Sequence, residues 1–370
     1  MKKILFCAST VSHIKNFHLP YLKAFHDMGY KVHVVTNESI PIQWADKVFR
    51  LSFQKKLYSP KNLLAGFQAY KLIKANGYEK ISTNTTLASV IMRLAALFVK
   101  DRPFIFNIVH GYLFNRDSGI KKYIYLIPEK IVAKVSDVVM VMNHEDFEIA
   151  QRYKLYKGQL FYINGMGVNP LRFKPVSLRE KSKRKTIMGF KSNDFLFVYA
   201  AEFSKRKNQQ FLIDAFIKCK LKNAHLLLAG DGKTIGTCKE YVEKLGQKNN
   251  IHFLGYVDDV PNLYSACDAA VSTSLIEGLP FNIIEAMGSG LPVAASKIKG
   301  HCELVEQNVN GMLFEKQNEL ELMNCLKEMY QCADEQREQY GLAGIDKSKA
   351  FLLDSVFEQV MEIYKLNDSD

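Results

Sequence analysis

Two carboxylates stand almost alone in an apolar stretch. Residues 276–296 read IEGLPFNIIEAMGSGLPVAAS, and Glu277 and Glu285, with seven residues between them, are its only charged side chains. A buried carboxylate is costly unless it is hydrogen-bonded. The pair must therefore reach solvent or face something polar that the chain binds. Glu277 precedes the turn Gly278-Leu279-Pro280, and proline is favoured at the first position of a helix. That predicts a helix from Pro280 onward, with the N–H groups of Phe281 and Asn282 and the helix dipole forming an anion site. Glu285 falls about one and a half turns in, where a carboxylate can accept two hydrogen bonds from a vicinal diol such as a ribose.

Other candidates sit between strands and helices. Lys205, Arg206 and Lys207 in YAAEFSKRKNQ form a cation cluster suited to a diphosphate, although a solvated loop uses the same residues. Gly230 and Asp231, with Gly232, end the run HLLLAGDG; small residues let a backbone approach a ligand closely, and a plain turn reads the same way. Cations for phosphate, carboxylates for sugar hydroxyls and a helix N-terminus for charge together describe a nucleotide-sugar site. No G-x-G-x-x-G follows the first apolar run and no G-x-x-x-x-G-K-[ST] occurs, which argues against dinucleotide dehydrogenases and P-loop NTPases. The spacing of His13, His18 and His26 fits no zinc pattern. The only Asp-x-Asp is the terminal DSD, so the expectation is that no metal is required.

Positioning these residues takes alternating strands and helices. The strand candidates are KKILFCAS, KVHVVTN, KISTN, PFIFNIV, DVVMVM, FLFVYAAE, HLLLAG, IHFLG, AAVSTS, PVAAS and GMLF, separated by helical stretches such as 18–28, 121–135, 208–218, 237–248 and 281–288. The stripe Phe17, Tyr21, Phe25 has helical spacing and reads as core. FYINGMGVNPLRFKP, rich in Gly, Pro and Asn, breaks the alternation and reads as a linker. An α/β protein with two doubly wound parallel sheets follows, in keeping with 370 residues being long for one core. The expected domains are 1–172 and 173–348, with a closing helix at about 349–366. Ligands in such sheets bind at the carboxyl ends of strands, and two such domains facing each other would make a cleft.

Charge divides unevenly. Residues 1–172 hold 25 Lys+Arg against 11 Asp+Glu, and residues 173–370 hold 25 against 27. The basic first half implies an anionic partner: a lipid surface, a diphosphate or a nucleic acid. The segment Lys121 to Tyr125 could touch lipid headgroups or be one turn of an ordinary surface helix. No apolar run has the length of a membrane-spanning helix. The start, MKKILFCAST, has too short an apolar run for a signal peptide. Seven cysteines without a Cys-x-x-Cys pair suggest reduced thiols in the cytoplasm.

The motifs EGLPFNIIEAMGSGLPVAAS, KRKNQQFLIDAF, LLLAGDG and HFLGYVDDVPNLYSACD, with SHIKNFHLPYLKAFHDMGYKVHVVT and HGYLF in the first half, resemble the retaining glycosyltransferases of family 4. The likeness covers nearly the whole chain and is nearest to the branch building bacterial capsular or exopolysaccharide chains. It implies the GT-B architecture of two facing Rossmann-like domains, acceptor-binding then donor-binding, with the closing helix crossing back to the first. It implies that Glu285 holds the ribose, Glu277 meets sugar hydroxyls and Lys207 neutralises the diphosphate. Tyr256 and Val257 would flank the base, and His110 would meet the sugar near the reacting carbon. Glu202 stands where many members carry arginine, so that role passes to Arg206 or Lys205. The first loop lacks the family's glycines, leaving Thr10, Ser12 and His13 as candidates for diphosphate or acceptor contact. The resulting expectation is a cytoplasmic enzyme on the inner face of the cell membrane, moving a sugar from a nucleotide diphosphate donor, a UDP-sugar, to a lipid-linked saccharide, with no nucleic acid as partner. An epimerase of the same architecture and a non-catalytic anionic-surface binding module are the alternatives.

Overall fold

A computed structural model describes residues 1–53, 59–116, 118–169 and 171–367; Pro170 of the expected linker and the terminal DSD lie outside them. The chain forms two compact units, Met1–Gly167 with Val356–Asp370, and Val168–Ser355.

Among the described residues the first unit holds seven parallel strands: β1 (Lys3–Cys7), β2 (Lys31–Thr36), β3 (Lys47–Arg50), β4 (Lys80–Asn84), β5 (Phe104–Val109), β6 (Val138–Val141) and β7 (Gln159–Tyr162). Their order is β3-β2-β1-β4-β5-β6-β7. The inner strands are buried almost throughout, which is why β1 and β6 read as continuous apolar runs rather than alternations; β4, KISTN, is buried with polar side chains that find internal hydrogen bonds, such as Lys80 to the Tyr364 carbonyl. The two edge strands, β3 and β7, are only half buried. Sequence patterning does not show β3, and it assigns part of β7 to the linker, because an edge strand needs no apolar run. The helix Lys61–Asn76 is likewise absent from the sequence reading.

The glycine-free first loop is itself a helix, Val11–Phe17, whose Thr10 cap accepts a hydrogen bond from the His13 N–H at 3.3 Å. A second helix, Leu19–Asp27, follows and buries Tyr21 and Phe25 of the expected stripe; Phe17 ends the preceding helix and is only half-buried. The returning terminal segment docks here. Lys80 Nζ donates to the Tyr364 carbonyl at 2.7 Å, and the Tyr364 hydroxyl meets Ser82 Oγ at 2.7 Å. Its ring packs on Phe6, Phe25 and Phe106.

Among the described residues the second unit holds six parallel strands: β8 (Phe195–Ala200), β9 (Ala224–Ala229), β10 (Ile251–Gly255), β11 (Ala269–Ser272), β12 (Val293–Ser296) and β13 (Gly311–Phe314). The order is β10-β9-β8-β11-β12-β13. Chain direction across the sheet reverses at β8, which makes the ends of β8, β9 and β11 the place where such sheets bind ligands.

One charged pair is fully internal to the first unit. Arg93 Nη2 and Glu129 Oε2 are 2.7 Å apart and both side chains are buried. The guanidinium also donates to Ser136 Oγ at 3.1 Å and to the Ser89 carbonyl at 3.3 Å. Removing one partner strands the other's charge out of water. Glu129→Ala should therefore cost about 3–5 kcal/mol, read as a lower urea midpoint for the first unit's unfolding; an unchanged midpoint would contradict the pair's burial.

Candidate active site

The loop after β8 carries the cations and the loop after β11 carries the first carboxylate. The Lys207 and Asn208 amides both donate to the Ser204 carbonyl, at 3.0 and 3.1 Å, turning the loop sharply. Phe203, wholly buried, anchors it. Asn208 takes a left-handed conformation, φ 57°, before the helix Gln209–Cys219 begins. This turn aims Arg206 and Lys207 across the sheet. Arg206 Nη1 and Lys207 Nζ each lie 2.7 Å from a different oxygen of Glu277. Glu277 and Lys207 are buried while Arg206 is 41% exposed, so one carboxylate serves two cations and a positive charge is left over. Burial alone would raise the Glu277 pKa, but Lys207 and then Arg206 outweigh it and hold the group at about 2. Lys205 is exposed and joins neither carboxylate.

A polar network lies beneath this triad. The Tyr199 hydroxyl meets Ser274 Oγ at 2.8 Å and the Lys207 carbonyl at 3.0 Å. His301 Nδ1 lies 2.6 Å from the Ser296 carbonyl and its Nε2 lies 3.1 Å from Ser272 Oγ. Burial pushes the His301 imidazole down to about 4, against the nearby Glu277 charge. Gly300 lies so close to the backbone of Glu277 and Gly278 that any side chain there would collide with the Gly278 carbonyl. None of these residues is marked by a sequence motif, because each matters through a neighbour distant in sequence.

Beside the triad, the ends of β8 and β9 wall a cavity of about 360 Å³. Ala200, Ala201, Gly230, Asp231, Tyr256, Val257 and Glu285 line it, together with Glu202 and Val260. Five candidates from the sequence thus come together. Tyr256 is 78% exposed at the rim. Gly230, φ 137°, has a further reason to be glycine: a side chain would strike the Ala201 carbonyl. The close approach there is loop to loop. Glu202 stands on the wall, while Arg206 is on the triad.

Glu285 projects from the helix Phe281–Gly288. Pro280 caps this helix instead of opening it, with φ −83° and ψ 101°, one position earlier than the sequence predicts. The same turn carries Gly278 and buried Leu279, and the Asn282 carbonyl accepts from the Tyr264 hydroxyl at 3.1 Å. Burial raises the Glu285 carboxyl to about 7, with Arg172 opposing weakly.

In the first unit three imidazoles converge. His13 Nε2 and His110 Nε2 are 3.2 Å apart, and nitrogens of His13, His18 and His110 all lie within 4.8 Å of one another. His26, exposed beside Trp44, lies elsewhere, in keeping with the reading that His13, His18 and His26 form no metal set; the third member of the cluster is His110. Linear spacing misses this because the loop after β5 brings His110 to the helix Val11–Phe17. Burial depresses all three, His13 to about 4 and the others well below their ordinary value, so each is neutral at pH 7. Thr10 and Ser12 are exposed beside them, their hydroxyls 3.2 Å apart. This is the one His/Cys/Asp/Glu cluster with metal-ligand spacing among the described residues.

The sequence model described as glycosyl transferases group 1 matches residues 180–347, and that described as glycosyl transferase 4-like matches residues 3–141. EpsD of Bacillus subtilis, named a glycosyltransferase, is 34% identical over 84% of this chain and 83% of its own. The Escherichia coli UDP-Gal:alpha-D-GlcNAc-diphosphoundecaprenol alpha-1,3-galactosyltransferase is 27% identical over 77% of this chain and 76% of its own. Among solved structures, HepE of Anabaena in complex with UDP and glucose superposes with a TM-score of 0.78 at 22% identity, covering 99% of this chain and 100% of that one. With two Rossmann-like parallel sheets and matches to both family models, the chain belongs to the group 1, family 4-like glycosyltransferases of the GT-B fold.

Proposed function

We propose that this enzyme transfers a sugar, with retention of anomeric configuration, from a UDP-sugar to a lipid-linked saccharide during synthesis of a bacterial capsule or exopolysaccharide. The observation that carries the reading is the Glu285-lined cavity lying beside a cation-rich triad at the reversal point of the second sheet. The E. coli relative's name specifies a UDP-sugar and a diphosphoundecaprenol acceptor, and HepE was solved with UDP; both support the choice of donor and acceptor.

In this proposal the second unit binds the donor and the first the acceptor. The base lies against Val257 and Tyr256, the backbone at Gly230 and Asp231 passes beside it, and Glu285 accepts from both ribose hydroxyls. Arg206 and Lys207 meet the diphosphate, with the N–H groups at the start of the helix Phe281–Gly288 adding to them. Glu277 fixes both cations and reaches sugar hydroxyls. The bond from the anomeric carbon to the diphosphate oxygen breaks, and the acceptor oxygen bonds on the same face through an oxocarbenium-like state. The acceptor proton passes to the leaving phosphate. Pre-aimed cations stabilise the charge developing on that phosphate. Neutral His110 and His13 can hydrogen-bond a sugar hydroxyl without adding charge. The enzyme works at the inner face of the cell membrane, held there by its basic first unit; among the described residues no helix is long and apolar enough to cross a membrane.

Donor affinity should follow the ionisation of Glu285. Its pKa is raised to about 7, so the accepting carboxylate is scarce below that pH and predominant above it. Binding of a UDP-sugar, whose diphosphate does not titrate in this range, should tighten about tenfold from about pH 6 to about pH 8. Calorimetry should show Glu285→Gln to be weak and flat with pH; a pH-independent wild type would refute the ribose assignment.

Glu277→Gln should act on the chemical step. Charge-assisted hydrogen bonds contribute about 1.5–3 kcal/mol each, so kcat should drop by about one to two orders of magnitude. UDP affinity should hold or increase, because Arg206 and Lys207 lose their counter-charge. Parallel losses in kcat and UDP binding would remove the distinction between the two carboxylates.

Activity should survive EDTA, because Arg206, Lys207 and helix N–H groups supply the positive charge at the diphosphate. Activity lost in EDTA and restored by a divalent ion would instead direct attention to His13, His18 and His110.

A further inference from the structure

Three helices of the first unit, Lys61–Asn76, Thr86–Ala96 and Tyr123–Val132, pack side by side. Their water-facing side is unusually apolar. Ile120, Ile124, Ile127 and Ile131 recur at intervals of four, three and four residues, which places them in one row along the last helix and the turn leading into it. All four are exposed, Ile120 by 87% and Ile127 by 55%. Leu63 on the first helix is 78% exposed, and Phe98, just past the second, is 73% exposed. Monomeric proteins scatter such residues singly; four exposed isoleucines in one helical row mark an interaction surface.

Charge on these helices has one sign. Residues 61–76, 86–96 and 119–135 carry seven lysines, Arg93 and a single carboxylate, Glu129. That carboxylate is buried against Arg93. The layer therefore presents no exposed carboxylate, whereas Lys61, Lys71, Lys121, Lys130 and Lys134 are exposed around the apolar row. Lysines flanking an apolar row describe a helix that lies in a membrane interface, its apolar side at the acyl boundary and its cations among phosphate headgroups. A second copy of this face fits poorly, since an isologous contact sets lysines against lysines.

We propose that this helical layer docks on an anionic bilayer by inserting the row Ile120-Ile124-Ile127-Ile131. The inference rests on the membrane association proposed above and adds to it: attachment is by apolar insertion, with the lysines steering the approach. Attraction by charge alone fades with salt; inserted isoleucines leave a salt-resistant part.

The test uses the full chain floated with phosphatidylcholine vesicles, with and without phosphatidylglycerol, at low and high salt. Wild type should bind the anionic vesicles and keep part of that binding at high salt. Ile124→Ser and Ile127→Ser leave the charge unchanged, and each should weaken binding about tenfold without moving Tm. Ile127→Trp should show a blue-shifted emission on anionic vesicles that wild type, with only Trp44, does not. Serine variants that bind like wild type, or an unshifted Ile127→Trp on bound protein, would overturn insertion while leaving charge-driven association standing. Failure of wild type to bind at low salt would overturn both. A wild-type dimer that Ile127→Ser converts to monomer would assign the face to a second copy and overturn the lipid reading.

Discussion

The second unit is organised around one carboxylate that holds two cations. Glu277 sits at the end of β11, while Arg206 and Lys207 sit at the end of β8, and these strands are neighbours in the sheet. Taking one charge out of water is expensive, and an ion pair repays the cost only with good geometry and further hydrogen bonds. That requirement explains much of the surrounding sequence. Arg206 Nη1 also donates to the Ile276 carbonyl at 3.2 Å, and the Leu275 amide donates back to the Arg206 carbonyl at 2.8 Å. Thr273 Oγ1 supports the carbonyls of Lys207 and Asn208 at 3.2 and 3.0 Å. The two loops are thus cross-linked by main chain as well as by charge. Gly300 then lets the segment after β12 close underneath, where His301 ties β11 to β12. A cation cluster preorganised in this way needs little rearrangement to receive an anion.

The sheets were legible because their inner strands are buried on both faces, so runs such as ILFC and LLLA carry an unbroken apolar signal. The edges, β3 and β7, carried none, since half-buried strands with polar ends resemble loops. Part of the candidate site was legible as well: Glu285, Gly230, Asp231, Tyr256 and Val257 come from three separate segments and line one cavity. What the sequence could not show is how charges pair. Glu277 reads as a sugar-facing carboxylate, and only the fold shows its two oxygens on Arg206 and Lys207. His301, Ser272 and Ser296 were invisible because no local pattern marks a residue whose partner lies on another strand. His110 was singled out only through the family resemblance, and linear spacing, which set aside His13, His18 and His26 as a group, could not show that His110 joins His13 and His18.

The uneven charge of the chain also resolves into local causes. In the second unit several cations are matched by carboxylates: Lys185 by Asp268 at 2.5 Å, Lys218 by Glu319 at 2.6 Å, Lys207 and Arg206 by Glu277. The first unit has its pairs too, such as Arg102 with Asp137 at 2.6 Å. Its three-helix layer is different, because the single carboxylate there is internal and the lysines stand in water. A net charge is a sum; the unmatched lysines on one layer are what a charged surface can feel.

The two carboxylates of residues 276–296 end in opposite states although they lie on one short segment. Both are nearly buried, and burial alone would raise both. Glu277 has two cations within 2.7 Å and is held at about 2; Glu285 has only the weak opposition of Arg172 and rises to about 7. Environments that push two titratable groups apart commonly mark a division of labour. Glu277 is a fixed charge whose hydrogen-bonding capacity is largely committed before any ligand arrives. Glu285 is a poised one: on the wall of an open cavity, it gains most by ionising when donor hydroxyls replace the water it has lost. Folding tolerates that strained carboxyl because protonation relieves it, and a diol that prefers the ionised form would draw its pKa back down on binding.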